Sequence, residues 1–403
     1  MVDAPLTCDV FIVGAGPAGL SVASRLPDDV KTIIAHQDQE IGLPIRTSGG
    51  SWTDDTDRLG IPPEMYNVLN VNEAYADDAH TVIPLKGNLP AILDTPRLYK
   101  WLATQSDHKD REIMLGAKFT SARRLGDGRF ESVVRSRDGV NRKITSDYIV
   151  DASGWHVAVL RALGLTEARP ERLGVGTEYE YPLGDNAPDR GIIFLGSGVP
   201  SGYGWAFATA RGTLRIGVGV IQPDTDASPR KLLDAVVANE ALLKRYKLKL
   251  EGEPVVHSGI LPSVAFEERM LWGRVIRVGD SANFATPTAG EGIRVCIELG
   301  RVLGEQLGEA VKTGRDAPLK VYERRAKRQL KTNYKWGFVI NTRIAKYGPA
   351  EWNASVRRMA KLDTASVTGL LRNDFSRKKI LAMASAGGKA WVRSRLNRLK
   401  RRA

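Results

Sequence analysis

Cysteine is scarce in this chain: Cys8 and Cys296 are the only two in 403 residues. Two such thiols imply no disulfide framework, neither has metal-ligand company, and a reducing compartment is expected. Long apolar runs are missing too. No window reaches the roughly 18 to 20 uninterrupted apolar residues of a membrane-spanning helix, so the chain is not expected to span a bilayer. The first strand begins within about ten residues of the start, which leaves no room for a signal peptide. A cytoplasmic location follows as the expectation, with any membrane contact peripheral and at the inner face. Acidic residues are sparse at one end. Pro318 to Ala403 holds 23 Lys and Arg against 4 Asp and Glu, a net of +19 out of a total of +13, so the first 317 residues carry −6. The basic character belongs to the tail, and the length allows two or three domains.

What is present begins with glycine. The apolar run Val10 to Val13 ends in Gly14, Gly16 and Gly19, and a helical pattern follows from Ala18 to Leu26. Strand, glycine turn and helix in that order mark a dinucleotide pyrophosphate site. Gly14 permits the tight turn, Gly16 lets the backbone approach the pyrophosphate, and Gly19 lets the helix pack on the strand; Pro17 and Ala18 complete the turn. Unpaired N–H groups at the helix start attract the phosphates. Lys31 to Ala35 reads as the second parallel strand. A residue after it usually binds the adenosine ribose, and here either Gln37 or Asp38 takes that role. No second fingerprint of this kind follows.

Thr81 to Pro84 and Leu89 to Leu93 read as a hairpin around Lys86-Gly87-Asn88, the first piece of an inserted substrate domain. Asp94 or Thr95 caps a helix from Arg97 to about Gln105, with Pro96 in its first turn. Glu112 to Val150 reads as a β-meander running into Asp151-Ala-Ser-Gly154. Strands are expected at Val175 to Tyr181, Gly191 to Leu195, Tyr203 to Ala208 and Leu214 to Val220. One helix then carries Leu232, Leu233, Val236, Leu243 and Tyr246 at helical spacing. Glu178 and Glu180 read most simply as solvent-facing. Tyr203, Trp205 and Phe207 alternate along one strand and share a face, which suits either core packing or an apolar ligand wall. Val275 to Val278 is a strand ending at Gly279 and Asp280. Pro287, Gly290, Gly292 and Ile293 then lead into a long helix to about Val311. Asp280 suits the ribityl and ribose hydroxyls of a flavin dinucleotide. Gly290 to Ile293 offer N–H donors to the pyrimidine edge of its ring at a helix start.

The loop Glu40-Ile-Gly-Leu-Pro-Ile-Arg-Thr-Ser-Gly-Gly50, the Asp-Ala-Ser-Gly turn, the Tyr-x-Trp-x-Phe strand and the Gly-Asp with Pro-x-x-Gly-x-Gly resemble the geranylgeranyl reductase family of FAD enzymes over about residues 8 to 345. The resemblance implies an α/β fold. A Rossmann-like FAD-binding domain would be built from residues 1–75, 95–165 and 270–315. An inserted antiparallel β-sheet substrate domain would comprise 76–94 and 166–269, and a basic helical C-terminal region 316–403. It implies FAD held by the glycine turn, by Arg46, Thr47 and Ser48 of the loop, by Arg97, by Gly154 and by the Asp280 and Gly290 segment. The family's cysteine is Thr47 or Ser48 here, so no thiol role carries over. Tyr203, Trp205 and Phe207 would line the prenyl chain of a lipid-like substrate, whereas the family's following Pro-Lys is Ala208-Thr209. The implied reaction saturates a carbon–carbon double bond, with Tyr203 or water as proton donor and NAD(P)H or a ferredoxin-type protein as reductant. The alternative on the same fold is a monooxygenase or halogenase acting on a small hydrophobic or aromatic substrate; the family's turn and the lack of a halogenase-type tryptophan–isoleucine–proline stretch stand against it. A further alternative is a non-redox isoprenoid cyclisation with Glu178 or Glu180 as acid.

The tail carries Tyr322, Leu330, Tyr334 and Trp336 among cations in Leu319 to Trp336, and Val392, Leu396 and Leu399 among cations in Lys389 to Arg402. The Lys389 to Arg402 helix is of the kind that can lie on an anionic membrane surface. A solvated tail or a nucleic-acid arm is the alternative, and no nucleic-acid partner is expected.

Overall fold

The computed structural model describes residues 6–166 and 169–375. Its centre is the strand Leu6–Val13, in which Val10, Phe11 and Ile12 are fully buried. A strand apolar on both faces belongs inside a parallel sheet covered on both sides. It pairs in parallel with Thr32–Ala35 on one side and Asn141–Asp151 on the other; Arg111–Met114 and Val275–Arg277 extend the sheet in parallel at either end. Arg111–Met114 is thus not part of the expected meander. It follows the helix Thr95–Thr104 as a crossover strand, and a crossover of this kind returns in parallel. The meander proper is Lys118–Arg124, Phe130–Arg135 and the first half of Asn141–Asp151, whose second half joins the parallel sheet.

The first helix, Pro17–Ala23, ends earlier than its apolar pattern and packs against Ile293–Thr313. A Cβ at Gly304 would stand 2.2 Å from the Val22 carbonyl oxygen, so the two helices touch backbone to backbone. The start and the last third of the chain are joined there.

The second sheet is ordered Val255–Pro262, Leu173–Pro182, Thr213–Gln222, Val199–Ala208, Arg190–Gly196, Val71–Tyr75 and His80–Val82. The expected hairpin is not formed. His80–Val82 pairs with Val71–Tyr75, while Pro90–Leu93 lies between Gly50–Trp52 and Tyr66–Val68 in a separate three-stranded sheet. The intervening Asn88 is held elsewhere, its side-chain oxygen accepting from Asp54 N at 3.2 Å. We propose that the inserted domain takes in Val71–Tyr75 and leaves 90–93 with the cofactor domain.

Leu214, Ile216, Val218 and Val220 are buried with Leu233, Val236 and Tyr246, so helices cover that face of the sheet. They are two helices rather than one, Pro229–Val237 and Glu240–Tyr246. Asn239 separates them because its side chain accepts from Leu242 N at 3.1 Å, making a new helix start. The opposite face of the sheet turns toward the cofactor domain.

Three helices close the described chain: Leu319–Ile344, Pro349–Met359 and Thr364–Leu371. The first is longer than the sequence pattern, and Tyr322 and Tyr334 donate from its buried side to Arg277 O (2.8 Å) and Phe284 O (2.5 Å). Trp352 and Val356 of the second pack on Ala74, Ala76 and Ile83 at the edge of the second sheet. The 389–402 stretch lies outside the described residues. Among those described, no helix is long and apolar enough to cross a membrane.

Candidate functional site

The phosphate turn is shaped by contact as well as by dihedral angle. Gly14 has φ +111°, and a Cβ there would lie 2.3 Å from Ala152 O; a Cβ at Gly19 would lie 2.0 Å from Gly14 O. The fingerprint therefore rests directly on the Asp-Ala-Ser-Gly turn. Gly16 and Gly154 face open space. Asp151 points away from that space: its carboxylate accepts from Val159 N at 3.0 Å and Leu160 N at 3.1 Å, capping Ala158–Ala162.

At the end of the second strand a residue outside the expected pair reaches the glycine turn. His36 is first after Thr32–Ala35, and its Nδ1 accepts from Ala15 N at 3.4 Å. Burial lowers its pKa against the pull of Asp38, which suits a neutral ring with an unprotonated Nδ1. Gln37 is exposed, and Asp38 is held bidentate by Arg46 at 2.7 and 2.9 Å. Both line a groove of about 600 Å³ with Lys118 and Arg135. The signal was positional: of the three polar residues only His36 directly follows the strand. Arg97 also departs from its expected place. Its N–H is capped by Asp94, and its exposed guanidinium donates to Glu64 O at 3.0 Å.

On the other side of the turn, a Cβ at Gly279 would meet the Ala18 methyl at 2.8 Å, so Asp280 stands beside the fingerprint helix. Burial pushes its carboxyl up to about 6, opposed only by a hydrogen bond from Ala285 N–H. A half-buried carboxylate without a neighbouring cation calls for hydroxyl donors, which a ribityl chain or ribose supplies. Apoprotein is therefore expected to bind FAD more weakly as pH falls through about 6, because protonation removes the acceptor. Fluorescence titration checks this, and Asp280→Asn should flatten the pH profile.

The Pro287 to Ile293 turn is partly self-satisfied. Gly290 N donates to Thr286 O at 2.8 Å and Glu291 N to Thr286 Oγ1 at 3.0 Å. Gly290 thus shapes the turn rather than offering its N–H to the ring, contrary to the sequence expectation, because a tight turn consumes its own inner donors. The N–H groups of Gly292 and Ile293 stand at the start of the long helix.

Tyr203, Trp205 and Phe207 do share a face. Tyr203 donates to Ala289 O at 2.6 Å, tying the aromatic strand to this turn, and burial raises its hydroxyl to about 12. The Trp205 indole lies across the glycines of the neighbouring strand: a Cβ at Gly217 would fall 2.4 Å from its ring. Its N–H donates to Glu178 Oε2 at 3.1 Å, and Ser48 Oγ donates to the same oxygen at 2.6 Å.

Glu178 and Glu180 are therefore not solvent-facing; they are 3% and 8% exposed. Arg215, wholly buried, donates through Nε to Glu180 at 3.0 Å and through Nη1 to the carbonyls of Thr47 and Ser48, each at 3.4 Å. Burial would raise the Glu180 carboxyl, yet the His257 hydrogen bond, Arg215, Thr213 and Arg211 bring it down to about 2. The alternating side chains Tyr179 and Tyr181 are buried in the helix-covered face, so this strand is covered on both sides. Glu180 lies opposite Arg215 and Glu178 opposite His257 on adjacent strands, a pairing set by register that local spacing does not encode.

A glycine turn open to a pyrophosphate, a half-buried carboxylate beside it, N–H groups at a helix start and an aromatic wall surround one region, and FAD fits them. The chain belongs to the FAD binding domain family, whose profile matches residues 7–336, and it is an FAD-dependent oxidoreductase. More particular likenesses point the same way. It is 26% identical over 321 residues to digeranylgeranylglycerophospholipid reductase 3 of Methanosphaera stadtmanae, covering 75% of this chain and 78% of that one. It is 25% identical over 368 residues to digeranylgeranylglycerophospholipid reductase 2 of Methanopyrus kandleri, covering 88% and 91%. In fold it is similar to a geranylgeranyl bacteriochlorophyll reductase-like protein of Thermoplasma acidophilum, with a TM-score of 0.79, 19% identity and coverage of 92% and 96%.

Proposed function

We propose that the protein reduces carbon–carbon double bonds in the prenyl chains of an isoprenoid lipid. The observation that carries this reading is the aromatic strand Tyr203, Trp205 and Phe207, tied by Tyr203 to the turn that precedes Gly290. A prenyl chain is apolar and flat at each double bond, so it packs on such a wall, which aligns it and excludes water. FAD, held by the glycine turn, His36, Asp280, Gly292 and Ile293, supplies when bound and reduced a hydride to one alkene carbon. The other carbon takes a proton. Tyr203, whose hydroxyl stands on the aromatic strand beside the flavin turn, or a water is the source. Glu178 is held as a carboxylate instead, with Arg215 Nε 3.7 Å from Oε1 and with Ser48 and Trp205 donating to Oε2. Electrons would come from NAD(P)H or a ferredoxin-type donor, and the substrate would be met at the membrane surface.

Anaerobic, dithionite-bleached protein tests the reading. Adding a polyprenyl lipid should restore the yellow colour while mass spectrometry shows the lipid gaining hydrogens in pairs; recovery only with oxygen, the lipid unchanged, would favour an oxygenase. Tyr203→Phe is expected to slow lipid reduction about a hundredfold, the lower range for a lost general acid, with FAD content unchanged. Unaltered reduction in that variant would return the role to water.

A further inference from the structure

We propose that the outward face of the helix Leu319–Ile344 docks on an anionic lipid surface. Its inward face is settled, since Tyr322, Ala326, Leu330 and Tyr334 are buried. The exposed positions recur three or four residues apart and so form one continuous band. Along that band Val321, Trp336 and Val339 are 41%, 45% and 47% exposed. Beside them, Lys320, Arg324, Arg328 and Lys335 have no carboxylate partner among the described residues. Arg325 and Lys331 are paired, with Glu298 at 3.3 Å and Glu268 at 2.8 Å. The one acid in the helix, Glu323, is turned inward to Met270 N and Lys327.

Apolar side chains set among unpaired cations match a headgroup layer, where the cations meet phosphates and the valines and indole enter the acyl boundary. A nucleic-acid backbone would satisfy the cations and leave the valines in water. Residues 376–403 carry ten Lys and Arg and no acid, so like charge opposes their covering this face. Across the same helix turn, Tyr334 holds Phe284 O. A lipid surface bound there would lie about one helix diameter, roughly 10 Å, from the segment leading to the flavin turn. The inference deepens the lipid reading above, while the surface itself stands on exposure and charge.

The test uses full-length, FAD-loaded protein floated with phosphatidylcholine vesicles and with vesicles containing phosphatidylglycerol. Binding is expected only to the anionic vesicles and should weaken with salt. Joint Lys320→Glu, Arg324→Glu, Arg328→Glu and Lys335→Glu should lower it at least about tenfold, with FAD absorbance retained. The milder Val321→Ser with Val339→Ser should weaken binding while leaving its salt dependence in place. Brominated acyl chains should quench tryptophan emission less in Trp336→Phe than in the parent. Equal binding by the charge-reversed protein, equal quenching in Trp336→Phe, or retention by duplex DNA as strong as by the vesicles would overturn the proposal. Lipid reduction is assayed separately: vesicle binding without reduction keeps the surface and removes the reductase reading, and reduction of detergent-dispersed lipid without vesicle binding does the reverse.

Discussion

Replacing Gly14 by alanine is expected to yield folded protein without its yellow cofactor. The residue adopts φ +111°, a region that alanine enters only with strain of about 1–2 kcal/mol. The added methyl would also lie 2.3 Å from Ala152 O, and neither backbone can yield without moving the Asp-Ala-Ser-Gly turn. Together these effects should weaken FAD binding by roughly a hundredfold or more, since each 1.4 kcal/mol is a factor of ten. The ratio of flavin to protein absorbance after purification measures the loss, and circular dichroism shows that the fold survives. A Gly16→Ala control separates strain from bulk, because that position faces open space within the fold. Its methyl would meet only the ligand, and a smaller loss is expected. Full FAD content in Gly14→Ala would mean that the turn does not carry the pyrophosphate.

The second large effect is expected at Arg215. Replacing it with methionine removes the cation shared by Glu178, Glu180 and the Thr47 to Ser48 carbonyls, and leaves buried carboxylates without it. Breaking a buried ion pair on one side destabilises by about 3–5 kcal/mol, enough to lower the denaturant midpoint markedly. Adding Glu180→Gln should recover part of that loss, because the uncompensated charge goes with it. The same cluster sets an acid limit. Glu180 titrates near 2 in the folded chain against an ordinary value of 4.5, so the unfolded chain takes up its proton first as pH falls. The stabilisation is whole above the ordinary value and lost on the way down toward about 2. Acid unfolding of Glu180→Gln should therefore be less steep in that window than that of the parent; identical curves would show that Glu180 does not contribute.

How far these features could be read beforehand differs from element to element. The 10–19 stretch and the Gly279 to Ile293 stretch were legible because each job, a turn, a close approach or a helix start, is performed within a few consecutive residues. The aromatic strand was legible for the same reason, since alternation alone places Tyr203, Trp205 and Phe207 on one side. The hairpin at 81–93 failed because alternation identifies strands without naming their partners. Pro90–Leu93 found its own in Gly50–Trp52 and Tyr66–Val68. Glu178 and Glu180 were misread because a strand reads as half exposed until a second layer covers it. Here that layer comes from the loop carrying Thr47 and Ser48, 130 residues away from Glu178.

By itself, the sequence determined that this chain binds a flavin dinucleotide, that its first strand runs through a glycine turn into a helix, and that the excess positive charge sits at the C-terminal end, since local spacing and composition encode all three. Only the tertiary structure decided that His36 faces the glycine turn, that Gly290 spends its N–H within its own turn, that a carboxylate–guanidinium cluster lies under the aromatic wall, and that one face of the long basic helix is left uncovered by the other described residues. Those outcomes depend on strand register and on which layers meet, and the contacts that set them join residues far apart in the chain.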